Sequence, residues 1–209
     1  MDNTVNIPLF PLNLVLYPGM HLPLHIFEER YKEMVGNCLK SESEFGVLLL
    51  NDAQLSNVGC AAKVTQVYTQ YADGKLDILT EGRRRFHVLE FMQDDDRLEA
   101  TIEYFDDVDD DVPDDLLERV LKSYQAMIKL QTSGIGGVKG IFDPKQFSFF
   151  IASTMDLELE EKQTLLELTS TAERMRKLDD SLEQTVKRLV ELAHIERAAS
   201  LNGHGKHAD

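Results

Sequence analysis

Residues Ile7 to Tyr31 read IPLFPLNLVLYPGMHLPLHIFEERY. Apolar side chains fill nearly every second position, while Pro8, Pro11, Pro18 and Pro23 each remove a backbone donor. An interior helix is therefore excluded, and the stretch must run as an extended, interrupted path of edge-type strands and turns. Tyr17-Pro18-Gly19 supplies a turn, because proline sets φ at one corner and glycine accepts the positive φ of the next. Phe27, Tyr31, Met34, Val35 and Cys38 then recur at helical spacing and predict an amphipathic helix.

Working outward, strand signals dominate up to Phe105. The apolar run Phe45 to Leu50 is followed by Val58-Gly59-Cys60-Ala61-Ala62 and by a strand pair around Asp73-Gly74. That dipeptide is favoured in tight hairpins whose two corners both need positive φ. Glu81-Gly82-Arg83-Arg84-Arg85-Phe86 forms a further strand, and Leu98, Ala100, Ile102 and Tyr104 alternate with polar residues as a half-buried strand requires. Beyond Asp114 the period becomes helical, with Leu117, Val120, Leu121, Tyr124 and Ile128 in one stripe. Asp143-Pro144 with Gln146, Asp156, and Ser170-Thr171-Ala172-Glu173 mark three more helix starts. The last helix carries Leu178, Leu182, Val186, Leu189 and Ala193 on one face. The fold class expected is α+β: a β-rich lobe with one helix over residues 1–112, a helical lobe over 113–201, and a polar, mobile tail over 202–209.

Composition bounds the function. A chain of 209 residues can bury a sizeable core. Its 37 acidic residues against 22 basic ones give a formal charge of −15, which argues against nucleic acid as the main ligand. Cys38 and Cys60 show no metal-ligand spacing, and Cys38, on the apolar face of the predicted helix, reads as a buried reduced thiol. No apolar run is long enough to span a membrane, and Met1-Asp2-Asn3 lacks the basic region of a signal peptide, so a cytoplasmic protein is expected.

Several constellations invite a chemical reading. Asp107, Asp109, Asp111 and Glu118 fall at calcium-loop positions, but Val112 replaces the required glycine and Pro113 follows, which favours a solvated acidic linker. Ser133 to Gly140 holds glycines and a lysine without the phosphate-loop order, which favours a flexible connection between helices. Pro23 prevents the helix that would align His21 with His25 as ligands, and His204 with His207 would form a site without supporting partners. No nucleophile-elbow pattern organises the serines and histidines. No catalytic residue, cofactor or metal site is therefore assigned.

The ordered set of pieces resembles the amino-terminal substrate-binding domain of Lon proteases. These are the proline-broken opening, the helix after it, the glycine-marked strand at Gly59, the Asp73-Gly74 hairpin, Gly82 with Arg85, and the helical segment from Glu161 to Leu178. The resemblance implies a PUA-like, β-barrel-like amino-terminal lobe followed by a helical carboxy-terminal lobe. It also implies recognition without proteolysis, since no Walker motif is present and the chain stops where ATPase and peptidase domains would begin. The expected partner is an unfolded or extended polypeptide, or a protease component, with an adaptor or regulatory role linked to proteolysis. RNA binding through the PUA-like lobe is the alternative, and the oligomeric state is left open.

Candidate contact residues are Phe10 and Leu12 on the opening ribbon and Arg83 and Arg85 in the cationic cluster. Apolar strand residues usually face inward, so Phe10, Leu12 and Leu14 also fit a core role. Arg83 and Arg85 share one strand face and could hold a partner's carboxylate or backbone, or pair with this chain's own acids.

Overall fold

The proline-broken opening folds into two strands, a turn and a helix in a computed structural model that describes residues 4–94, 97–132 and 143–203. Strand β1 covers Thr4–Leu12, β2 covers His21–Ile26, and α1 covers Glu29–Ser41. Gly19 takes φ 76° and the Met20 amide donates to Tyr17 O at 3.1 Å, the turn expected of Pro18-Gly19. Phe27 stands outside the predicted helical face: the helix starts two residues later, and Phe27 is 58% exposed.

The opening ribbon was expected to be edge-like throughout, but β1 sits inside the sheet. Its first half, Thr4–Pro8, pairs antiparallel with β6 (Arg97–Phe105), and its second half, Leu9–Leu12, pairs parallel with β3 (Phe45–Asn51). The strand changes partner between Pro8 and Leu9. Each half therefore has a ladder on one side only, which is how an interior strand accommodates two prolines. Pro23 lies on β2, which is a true edge.

Two long strands complete the sheet, β4 (Gln54–Gln70) and β5 (Leu76–Asp94), in the order β2-β5-β4-β3-β1-β6. A further β5–β6 pairing closes it into a barrel, with β2 attached to the first half of β5. In the β4–β5 hairpin Gly74 has φ 83°, while Asp73 stays at negative φ. The Tyr71 amide bonds Lys75 O at 2.9 Å and the Gly74 amide bonds Tyr71 O at 3.0 Å, so the loop needs one left-handed corner instead of the two expected. All five barrel strands contribute to an inner cluster that includes Ile7, Leu9, Leu48, Ala61, Phe86, Ala100 and Ile102. On the outer face Phe10, Phe45, Val47, Cys60 and Ile78 pack with Val35 and Cys38 of α1.

Four more helices follow: α2 (Asp114–Gln131), α3 (Pro144–Thr154), α4 (Leu159–Glu167) and α5 (Thr171–Gly203). Pro144 opens α3 as predicted. Asp156 does not cap α4, which begins after Glu158. The buried face of α2 is Leu116, Val120, Tyr124 and Met127, rotated from the expected stripe so that Leu117, Leu121 and Ile128 flank it. The glycine-bearing stretch 133–140 and the tail 204–209, including His204 and His207, lie outside the described residues, whereas Asn202 and Gly203 close α5.

The chain divides into two units, Met1–Asp109 with Lys145–Thr169 and Asp110–Pro144 with Ser170–Asp209. Residues 145–154 of α3 and all of α4 thus fall in the unit that holds the sheet. Tyr17 Oη donates to Lys162 O at 2.9 Å, and Gln163 Nε2 donates to Val58 O at 3.0 Å.

In the second unit the start of α5 is held by two side chains. The Glu173 amide donates to Ser170 Oγ at 3.0 Å, the predicted cap, and Asp110 adds a second one. Its carboxylate accepts from Ser170 Oγ at 2.6 Å and from the Ala172 and Thr171 amides at 3.0 and 3.2 Å. The Ser170 hydroxyl, and then these amides, hold the Asp110 carboxyl below its ordinary value. A carboxyl whose folded pKa is lowered contributes stability above its unfolded value of about 3.9, and that contribution disappears as pH falls through the folded value. Asp110→Ala is expected to cost about 1 kcal/mol at pH 7. In urea titrations the gap from the parent protein should close in acid. An equal gap at pH 7 and pH 2 would contradict the capping role.

Candidate functional site

Where β1 changes partner, a groove of about 870 Å³ opens in the first unit. After Glu99, which faces Pro8, β6 leaves β1 and stays on β5, with Leu98 opposite Gln93. The five consecutive residues Pro8–Leu12 all line the groove. Successive strand side chains point to opposite faces, so an unbroken run shows that the strand presents its edge. Tyr31, Met34 and Cys38 of α1, the strand residues Leu24, Leu50, Leu55 and Leu98, and exposed Phe27 line it as well.

Phe10 and Leu12, singled out on the ribbon, both line this groove. Phe10 is also core: its ring lies 4.1 Å from that of Tyr31 and 6.1 Å from that of Phe45. Leu12 is half-buried, packed on the core at one end and open at the other. The apolar spacing of α1 foreshadowed Tyr31 and Met34, and the alternation of β6 placed Leu98. Nothing local pointed to Leu50, Leu55, Arg97 or Glu99, because these reach the groove only through strand pairing.

The rim charges are mostly matched within the chain. Arg30 meets Glu28 at 2.8 Å and its guanidinium lies 4.6 Å from the Tyr31 ring centre, while Arg97 meets Glu33 at 2.6 Å. Burial pushes the Tyr31 phenol up, opposed by Arg30, and burial pushes the Cys38 thiol up as well. His25 Nδ1 lies 2.6 Å from Asp77, whose carboxyl is held low first by His25 and then by Tyr71. Among the described residues Glu99 has no ion-pair partner.

Arg83 and Arg85 do not join the groove. Arg83 is exposed and meets Glu81 at 3.2 Å. Arg85, considered as a partner contact, lies in the interior at 2% exposure. Its guanidinium donates to Leu166 O at 2.8 Å and Leu168 O at 2.6 Å, at the end of α4, and pairs with Asp107. Asp107 is thus a buried counter-ion instead of part of a solvated linker, and beside it Asp106 pairs with Lys145. Arg84 lies over Tyr104, 4.3 Å from its ring centre. Burial, opposed by a backbone hydrogen bond and Arg85, pushes the Cys60 thiol up to about 12, consistent with an inert core thiol. Among the described residues no group of three or more His, Cys, Asp or Glu side chains could hold a metal ion. No described helix is long and apolar enough to cross a membrane.

Residues 6–184 match the family described as the ATP-dependent protease La (LON) substrate-binding domain. The chain belongs to that family. The Lon protease of Halothermothrix orenii is 28% identical over 193 residues, covering 85% of this chain and 24% of that protein. The Lon protease of Anaeromyxobacter dehalogenans is 30% identical over 186 residues, covering 81% and 22%. The chain spans about a quarter of the length of these curated relatives. Two solved structures share the fold. The Lon N-terminal domain protein from Xanthomonas campestris superposes with TM-score 0.68 at 23% identity, over 83% of this chain and 96% of that one. The N-terminal domain of Mycobacterium avium complex Lon protease gives 0.65 at 20% identity, over 86% and 98%. The chain therefore has the α+β fold of the Lon N-terminal domain structures, and the groove lies within the matched residues 6–184.

Proposed function

We propose that this chain is a non-catalytic, cytoplasmic recognition module, an adaptor or regulator linked to proteolysis, which binds extended, partly apolar polypeptide in the groove beside Leu12. One observation carries the reading. The groove combines a strand edge with apolar walls from α1, β3 and β4, the two elements by which an extended peptide is held through backbone and side chains together. Membership of the Lon substrate-binding family supports polypeptide as the ligand class. The net charge of −15 opposes binding to phosphate backbones.

Leu12→Asp tests this. The side chain is half-buried, so the protein should stay folded by circular dichroism while a carboxylate enters the apolar channel. Fluorescence anisotropy with unfolded, apolar-rich polypeptide should show micromolar, saturable binding, weakened about tenfold or more by the substitution. Absence of saturable polypeptide binding, together with salt-sensitive binding of structured RNA, would replace this reading with RNA recognition.

A further inference from the structure

Taking the groove as a polypeptide site, we propose that its occupant binds as an added β-strand along Leu9–Leu12 and sets a lysine or arginine against Glu99. Leu9–Leu12 have a ladder partner in β3, and among the described residues no strand pairs with their other side. That unpaired side borders the groove, as the unbroken lining by Pro8–Leu12 requires. An extended segment placed there continues the row that β6 occupies as far as Pro8. Main-chain hydrogen bonds then provide affinity, and alternate client side chains enter the apolar walls. Pro11 has no N–H to donate, so the ladder is short and the affinity modest.

The charge preference follows from what is already neutralised. Arg30 and Arg97 are taken by Glu28 and Glu33, and His25 by Asp77, which leaves Glu99 as the groove-lining carboxylate without an ion-pair partner among the described residues. Glu99 stands opposite Pro8, where the β6 ladder on β1 ends and the added strand would begin. A cationic side chain at that end of the client completes the pattern of paired rim charges. An acidic one meets repulsion.

The test uses the full chain and a nine-residue apolar peptide with one terminal-flank lysine, a version with norleucine in its place, and single backbone N-methylations. Strand addition predicts losses of about tenfold at every second N-methylated position and little change between them. The lysine peptide should bind about threefold tighter than the norleucine peptide, and Glu99→Gln should bring that ratio to about one. Uniform tolerance of N-methylation, or tighter binding of a helix-stapled version, would overturn strand addition while leaving the groove a polypeptide site. A lysine-to-norleucine ratio unmoved by Glu99→Gln would overturn the charge preference. No binding by any of the peptides would remove the underlying reading as well.

Discussion

Replacing Arg85 with methionine is expected to destabilise the protein by about 3–5 kcal/mol, the usual cost of leaving one partner of a buried ion pair uncompensated. The Arg85 and Asp107 side chains are only 1% and 5% exposed, so water cannot take over from the guanidinium. Leu166 O and Leu168 O, at the end of α4, would lose their charged donor in the same step. Carbonyls at a helix end have no intrahelical partner and depend on such groups. The ring of Phe149 lies 5.2 Å from the guanidinium and that of Phe105 4.5 Å, so methionine would preserve some packing but none of the hydrogen bonds. Urea unfolding should show the loss directly. The double variant Arg85→Met with Asp107→Leu should recover part of it, because no buried charge then remains unpaired. A single-variant loss below 1 kcal/mol would mean that the pair does not hold α4 to the barrel.

Gly82→Ala is expected to cost about 3 kcal/mol, at the upper end for an overpacked site. A Cβ at this position would lie 2.2 Å from Tyr17 O and 3.0 Å from its carbonyl carbon. The obstacle is main chain, so it cannot rotate away. The Gly19 amide donates to Gly82 O and the Met20 carbonyl accepts from the Gly82 amide, both at 2.8 Å, which fixes the Pro18-Gly19 turn against β5. Gly36→Ala makes the contrast. Nothing lies within 4 Å of its Cβ position and it stands inside α1, so alanine there should stabilise by about 0.5–1 kcal/mol. Thermal or urea unfolding of the two variants should shift in opposite directions. Equal, small effects would show that the turn does not press on Gly82.

Much of the fold was legible because it rests on local rules. Prolines forbid helix from Ile7 to Pro23, Pro18-Gly19 dictates a turn, and Ser170 with Glu173 announces the start of α5. The alternation around Ala100 and Ile102 set the inward face of β6, and Gly82 with Arg85 carried the family resemblance. For the site, the same rules brought forward Phe10 and Leu12 but gave them no surroundings. They also grouped Arg85 with Arg83, either to hold a partner or to pair with this chain's own acids, because nothing local to a three-arginine run reveals which member turns inward.

Dihedral limits, hydrophobic period and capping act within a few residues, so the elements, most of their inward faces and the α+β class can be read from the residues alone. Long-range packing sets the change of partner of β1 at Pro8, the roles of Asp107 and Asp110 as counter-ion and cap, and the meeting of Leu50, Leu55 and Glu99 at one groove. Strand pairing and ion pairing join residues tens of positions apart, and which partners meet depends on how the sheet closes on β5. That closure is chosen by the burial of the whole core, a collective free energy that no short segment carries.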